Sequence, residues 1–396
     1  MISDNTTAHG YTLSDSDSQL MDNYTPGSEG LRVKEVSLDD PRLIPLITAH
    51  PSGTVFHHPA WLRTLASEYD REFIMLGCEN RAGDLLGIFP LMCTRGFPIP
   101  MGGQLTKARF SSLPRTPIAG PLSTSREALR LLLNAAIEQM SERNRGRLQI
   151  KTEGPLLDGL IDGFSGVKWR PSFLVSLPEN PIQFSIGSSN TRRARIRSSV
   201  NRAKRLGVRA RMVDSRDYLH RWYELYLRTM RRVVVPPRPL RFFLGMCKHF
   251  EPLGLMKMMI VERGSEENPE LIAGSIFLLN GKRVFYSFTA CPAEHFSLQP
   301  NDLMQWEAIH WAVNNGFLEY NLGEVSDDNE KLASFKTKWG VEERQLYHYY
   351  YPQRQVTAKG TDSLMLSSYQ KLLGRVWRHM PLRITACLGD LIYRYL

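Results

Sequence analysis

Lys336 stands where a helix should keep an apolar side chain. In NEKLASFKTKWGVEE, residues 329–343, Leu332, Phe335 and Trp339 fall on one narrow arc at about 100° per residue, while Lys331 and Lys338 point away as a solvated face does. Lys336 lies four residues after Leu332 and three before Trp339, so its stem runs along the buried edge and its ammonium emerges nearby. That placement serves either a snorkelling lysine with its charge in water or a cation held at a pocket rim to meet a phosphate or a developing oxyanion. Two further sets of cations fit the second chemistry. Arg231 and Arg232 close the helix YLHRWYELYLRTMRR, where they either complement the helix dipole or donate to a substrate phosphate. No carboxylate occurs from Asn180 to Val213, and NTRRARIRSSVNRAKRLGVRAR packs nine cations into that span, among them Arg193, Arg197 and Arg202. Ser189 or Asn190 caps this helix, Gly207 ends it, and Ile196, Val200 and Ala203 form a thin apolar stripe. Such a run is a solvated face or a phosphate-tracking surface for tRNA, a nucleotide-sugar or lipid headgroups. Lacking interleaved aromatics, it is a poor platform for single-stranded bases.

Other chemistries find no support. No G-x-S-x-G occurs, which removes the usual signature of Ser/His/Asp hydrolysis. His57 and His58 are adjacent and lack metal-ligand spacing, so no metal site is expected. The five cysteines (Cys78, Cys93, Cys247, Cys291, Cys387) contain no C-x-x-C pair and read as free thiols of a reducing compartment. The start of the chain is polar and acidic, without the basic and apolar regions of a signal peptide, and nowhere do about 18 apolar residues run together. The expectation is a cytoplasmic protein with a disordered tail over residues 1–30. A net charge of +10 points to anionic partners.

The elements that must position these residues follow from the hydrophobic pattern. At 396 residues the chain is long enough for two domains of about 100–200 residues each. A strand at LRVKEVSL precedes a helix around HPAWLRTLASEY, and the strands REFIMLGCEN and LLGIFPLMCT are divided by the turn RAGD. Ser123 or Ser125 caps a helix through REALRLLLNAAIEQMSERN, and RLQIKTE returns as a strand. The second half repeats the order: LMKMMIVER, LIAGSIFLL and KRVFYSFTAC as strands, NDLMQWEAIHWAVNNG as a helix stopped by Gly316, and FLEYNLGEV as the returning strand. Two copies of one α/β unit are therefore expected, with the boundary near SLPENP, giving domains at 31–178 and 179–352 with mixed, mostly antiparallel sheets. Residues 353–396 read as basic amphipathic helices that either cap the second domain or rest on the inner face of a membrane.

The segment QPNDLMQWEAIHWAVNNGFLEYNLGEVSDDNEKLASFKTKWGVEERQLYHYY carries P-N-x-L-x-x-W-E-x-I, the glycine of NLGEVS, the N-E of DDNEKL, F-K-x-K-W-G and a closing tyrosine strand. In these features it resembles the C-terminal module of the FemAB-like proteins, relatives of the GNAT acyltransferases. FHHPAWLRTLASEYDREFIML with GIFPLM resembles that family's N-terminal module, and TMRRVVVPPRPLRFFLGMCKHF its middle helix and loop. The likeness spans most of residues 31–352 and looks nearest to the subgroup associated with exosortase and exopolysaccharide loci. It implies an α/β protein of two tandem GNAT-like domains that moves an acyl or aminoacyl group onto an amine of a cell-envelope, peptidoglycan or exopolysaccharide precursor. The family's active-centre F-K dipeptide maps onto Phe335 and Lys336, and Asn329 and Lys338 fall in motifs on the substrate side.

No tightly bound cofactor is implied, and the donor stays open between aminoacyl-tRNA and acyl-CoA. The glycine-rich pyrophosphate turn of coenzyme A-dependent GNAT enzymes is replaced by FSLQPNDLMQW, Glu324 stands where subgroup relatives commonly carry Arg, and RRVVVPPRP lacks the glycine usual before its prolines. Amine attack on an ester or thioester needs a base, for which Glu307, Glu324, Asp327 and Asp328 are the choices, each otherwise a cap or surface charge. His310 reads as a packed helix residue. Tyr286 and Trp306 line an acceptor groove or belong to the core, and Tyr347, Tyr349 and Tyr351 form a packing row. The alternative class is a non-catalytic nucleic-acid-binding or export-scaffold protein that uses the Arg-rich helix 190–206.

Overall fold

Both halves of the chain feed one thirteen-stranded sheet in the computed structural model, which describes residues 30–96, 108–143, 146–162, 164–265, 267–326, 329–353 and 374–395. The first half supplies β1 (Arg32–Glu35), α1 (Leu43–Ala49), α2 (Pro59–Tyr69), β2 (Phe73–Glu79), β3 (Leu85–Thr94), β4 (Arg109–Ser111), β5 (Leu122–Ser123), α3 (Arg126–Glu142), β6 (Leu148–Glu153) and β7 (Val167–Ser176). The second supplies α4 (Asn190–Arg205), β8 (Val208–Val213), α5 (Ser215–Val233), α6 (Leu240–Phe250), β9 (Met256–Arg263), β10 (Glu270–Asn280), β11 (Arg283–Ala290), α7 (Pro300–Asn314), β12 (Glu319–Glu324), α8 (Glu330–Thr337) and β13 (Glu342–Tyr351), and α9 (Leu382–Tyr395) follows. Helix starts are fixed by side-chain caps: Ser125 Oγ accepts from the Ala128 N–H, and Ser189 Oγ from the Arg192 N–H.

The strand order is β1-β2-β3-β4-β6-β13-β7-β12-β11-β10-β9-β8, with β5 beside β3. It reads alike from either edge. Each half makes one parallel pair, β4 with β6 and β11 with β12, spanned by the crossover helices α3 and α7. Each half then passes its last strand to the other, since β7 pairs with β12 and β13 with β6, and the two exchanged strands pair with each other at the centre. The fold is therefore α/β with a mixed, mostly antiparallel sheet, as the pattern predicts.

One apolar core belongs to both halves and holds Trp61, Trp222, Phe242 and Phe285. Phe56 meets Phe285 edge-on at 5.3 Å and Trp61 meets Phe242 at 5.8 Å, so aromatic pairs tie first-half residues to second-half ones. Burying such a side chain contributes roughly 1.5–3 kcal/mol. A second core lies under α3 and a third under α4 and α7. Tyr349 sits fully inside the α3 core with Tyr347 and Tyr351 against it, which is the packing row expected.

The C-terminal helix does not cap the second half alone. Tyr69 Oη donates to the Asp390 carbonyl at 2.8 Å, Arg71 donates to the Tyr393 carbonyl, and Arg241 pairs with Asp390, so α9 straddles both halves. Gly389 permits this contact, because a Cβ there would come within 2.5 Å of the Pro237 carbonyl oxygen. Among the described residues no helix is long and apolar enough to cross a membrane. The expected tail at 1–30, save Gly30, and the candidates Asp327 and Asp328 lie outside the described residues.

Candidate active site

The parallel pairing of β11 with β12 lasts only for residues 283–285 against 319–321. Beyond it the strands part, and a cleft of about 1340 Å³ opens there and extends to side chains of β6, β13 and β7. Its lining is strongly cationic, with Arg109, Arg115, Lys151, Arg232, Arg238 and Lys336, and Glu324 is the one carboxylate among the described residues that line it.

Lys336 is 5% exposed, and its Nζ donates to the carbonyls of Gly323 at 3.0 Å and Glu324 at 3.1 Å. Gly323, at φ 77°, occupies the left-handed region that a side chain would resist. Burial pushes the Lys336 ammonium down to about 8, opposed by the Glu324 carboxylate. The snorkelling arrangement is thereby overturned: the charge is held by peptide carbonyls instead of water. The apolar stripe also differs from the periodic pattern. Leu332 is exposed at the cleft, Phe335 is half-buried in its lining, and Lys336 and Trp339 are the buried positions, because the helix lies along an open edge.

Residues 190–332 match the family described as acetyltransferase (GNAT) domain, a span that contains α4 through β12 and so both strands that part at the cleft. No curated protein matches the chain. Among solved structures the chain is similar to FemX, with a TM-score of 0.62 at 15% identity over 81% of this chain and 97% of that one. It is similar to L-PGS from Bacillus licheniformis, TM-score 0.51 at 14% identity over 88% and 100% of the two chains. A third is a C-terminal domain assigned to lysylphosphatidylglycerol synthetase from Agrobacterium fabrum, TM-score 0.51 at 13% identity over 84% and 95%. The chain has the FemAB-like GNAT fold.

Within this FemAB-like frame the residues singled out by sequence divide into two groups. Phe335, Lys336, Glu324, Asn329, Tyr286 and Arg232 line the cleft. Asn329 also caps α8, its Oδ1 accepting from the Leu332 N–H at 3.2 Å. Tyr286 is half-buried in the cleft wall, and the desolvation of its hydroxyl pushes the phenol up to about 12. Arg232 lies over the Phe296 ring at 5.0 Å. The others are engaged elsewhere. Arg231 donates to the Met380 carbonyl at 3.0 Å, Glu307 pairs with Lys204 at 2.9 Å, and Trp306 packs on His310 at 4.3 Å. Lys338 does not project into solvent: it pairs with Asp302 of α7 and covers the Phe335 ring at 4.4 Å, which fixes α8 to α7. Arg193 donates to the Gly187 carbonyl at 3.2 Å, and Arg197 and Arg202 are exposed on α4 away from the cleft lining. Arg192 reaches the Thr337 carbonyl at 2.9 Å, so the basic helix abuts the helix that carries Lys336. His57 is a buried capping group bonded to Thr54 and the Gly120 carbonyl.

Sequence reasoning missed a second buried amine. Lys151 on β6 is 8% exposed, and its Nζ donates to the Leu113 and Thr116 carbonyls, each at 2.9 Å. Burial, aided by Arg109, pushes it down to about 7. The loop that it ties contains two non-glycine residues at positive φ, Leu113 at 59° and Arg115 at 53°. His348 faces Lys151 across the β6–β13 pairing, is pushed down to about 3 by burial, and stacks on Trp169 at 4.3 Å. Trp169 Nε1 in turn donates to Glu324 Oε2 at 3.0 Å. Period-two alternation was the available signal, since the neighbours of Tyr347, Tyr349 and Tyr351 must face the opposite side of the sheet.

Proposed function

We propose that this protein is an N-acyltransferase that moves an acyl or aminoacyl group from an activated donor onto a primary amine of a cell-envelope, peptidoglycan or exopolysaccharide precursor. The GNAT match and the FemX-like fold support acyl transfer to an amine. One observation carries the assignment of the site: Lys336 is a preorganised, buried ammonium held by the Gly323 and Glu324 carbonyls where the strands part. Two of its three N–H groups are committed, and the third is free for the oxyanion of a tetrahedral intermediate. Phe335 walls the same point, and Arg232 and Asn329 bind substrate. Residues 31–178 and 179–352 are read as the tandem units, each completed by the other's last strand. The donor is aminoacyl-tRNA or acyl-CoA, with the exposed arginines of α4 as the surface for a polyanionic donor. On α9, Ile384 and Leu391 are exposed one heptad apart beside Arg383 and Arg394, a face suited to peripheral contact with anionic lipid, which sedimentation with anionic and neutral vesicles tests.

The experiment is transfer from labelled aminoacyl-tRNA and from an acyl-CoA panel at about 150 mM salt, where non-specific phosphate contacts weaken. One donor class should yield an amide product, and Lys336→Ala should lower the rate by about 10²–10³ while donor binding persists. Equal rates for Lys336→Ala and wild type would remove this residue from the mechanism. Equal binding of acylated and deacylated tRNA with no product would favour the nucleic-acid-binding alternative.

A further inference from the structure

We propose that Glu324 seats the ammonium of the acceptor and takes its proton, so that the acceptor is a compound carrying both an anionic group and a primary amine. This rests on the acyl-transfer reading above. Among the described residues Glu324 is the sole carboxylate lining a cleft otherwise furnished with lysines and arginines. Its two oxygens are not equivalent. Oε2 accepts from Trp169 Nε1 at 3.0 Å, which orients the group, while Oε1 has only Arg170 Nη1 at 4.0 Å, beyond hydrogen-bond reach. Its side chain is 32% exposed, so Oε1 is accessible to a ligand. The main-chain carbonyl of the same residue accepts from Lys336 Nζ at 3.1 Å. One residue thus joins the proton acceptor to the group that would stabilise the oxyanion. The surrounding cations repel an ammonium everywhere in the cleft except at this carboxylate, and they attract an anionic group on the same molecule.

The Glu324 carboxylate takes one proton from the acceptor R–NH3+, leaving a neutral amine. Its lone pair forms the new C–N bond at the carbonyl carbon of the ester or thioester donor, and the carbonyl π electrons move to oxygen beside Lys336. Collapse restores the carbonyl and breaks the bond to the leaving group, which departs with that electron pair and takes the second nitrogen proton. The products are an amide, the free alcohol or thiol, and a protonated Glu324 that returns its proton to water. Groups facing Glu324 are Arg170 and Trp169 from β7, Lys336 from α8, Lys151 from β6, and neutral His348, which stacks on Trp169 from β13.

The test has two arms. Calorimetric titration of the full chain with glucosamine 1-phosphate and with its N-acetyl form asks whether the ammonium is read. Wild type should prefer the amine by about tenfold or more, and Glu324→Gln should cut that preference below about twofold while still binding both phosphates. No preference in wild type, or an undiminished one in Glu324→Gln, overturns the proposal. In the transfer assay Glu324→Gln should lower kcat/KM by about 10²–10⁴ near neutrality, and the deficit should shrink as pH approaches the pKa of the acceptor amine, where free amine is abundant. A deficit constant at every pH would mark a merely structural role and overturn the proton-accepting step. Amine preference without turnover from any donor would instead overturn the acyl-transfer reading and leave the ammonium site standing.

Discussion

The two halves part their strands in the same way and fill the opening differently. In the first, β4 pairs with β6 at two positions, Phe110 with Leu148 and Ser111 with Gln149, and past them Lys151 reaches across to bond the Leu113 and Thr116 carbonyls. In the second, β11 leaves β12 after three positions, and Lys336 bonds the Gly323 and Glu324 carbonyls from beside the gap. The device is the same: a buried ammonium, two peptide acceptors, and a basicity lowered by burial. The surroundings differ. Lys151 ties a loop with two residues in left-handed backbone and faces a neutral imidazole, whereas Lys336 sits beside an accessible carboxylate at the open end of the cleft. A buried cation becomes a candidate catalyst only where its neighbours leave room for a reacting group and a proton acceptor.

Replacing each amine with an apolar side chain of similar length should separate their roles. Lys336→Met should lower kcat/KM by about 10²–10³ through loss of oxyanion stabilisation, with the smaller change in unfolding midpoint, because the half-exposed Gly323 and Glu324 can recover water where the buried Leu113 and Thr116 cannot. Lys151→Met should keep most of the transfer rate but lose about 2–3 kcal/mol of stability, since two buried carbonyls lose their donor. Initial rates and urea unfolding measure both. The roles are reversed if Lys151→Met costs more in rate than Lys336→Met.

The fold was legible in the sequence where one periodicity dominated. LLGIFPLMCT is β3 to the residue, Ser125 and Ser189 cap the helices that they precede, and Ile196, Val200 and Ala203 are the buried stripe of α4. The exchange of last strands was not legible, because β7 carries Pro171 at its centre and an exposed Lys168–Trp169 start, features that read as the end of a strand. Of the candidate residues, Lys336 and Phe335 line the cleft, Trp306 and Glu307 do not, and Lys151, which lines it, was not singled out. The reason is common to all three. A helix or strand pattern says which residues share a face, but the polar face of β6 is solvent in one fold and cleft wall in another, and only the tertiary pairing with β13 decides. Glu307 looked available until Lys204 of the neighbouring helix was brought to it.

A smaller effect is expected in the pH dependence of stability. Lys151 is near 7 when folded against an ordinary 10.5, so between those values the unfolded chain holds a proton that the native state has released. Stability must then rise with pH in that window, by about 1.4 kcal/mol per unit where this group acts alone. Its cost is complete below about 7 and absent above 10.5. From pH 7.5 to 9 wild type should gain about 2 kcal/mol from this group, with Lys336 adding a slope of the same sign from about 8. Lys151→Met should flatten the first part of that rise in urea unfolding at each pH. An unchanged slope would mean that Lys151 stays charged in the folded state and that the two amines are not alike.

The smallest expected difference asks what the first-half amine is for. Arg115 is exposed at φ 53°, its guanidinium lies over the Tyr393 ring at 4.9 Å, and its carbonyl accepts from Arg238 at 2.9 Å. Arg115→Gly and Arg115→Ala both lose the ring contact, so the gap between them isolates the backbone. Glycine should be the more stable by about 1 kcal/mol, net of its greater freedom when unfolded. In a Lys151→Met background the loop is released from its strap and can leave the left-handed region, so the gap should close. If it stays open, the Arg238 bond to the Arg115 carbonyl sets the shape of the loop, and Lys151 would then be a cation stored under the cleft for a ligand, bringing the first-half amine closer in role to the second.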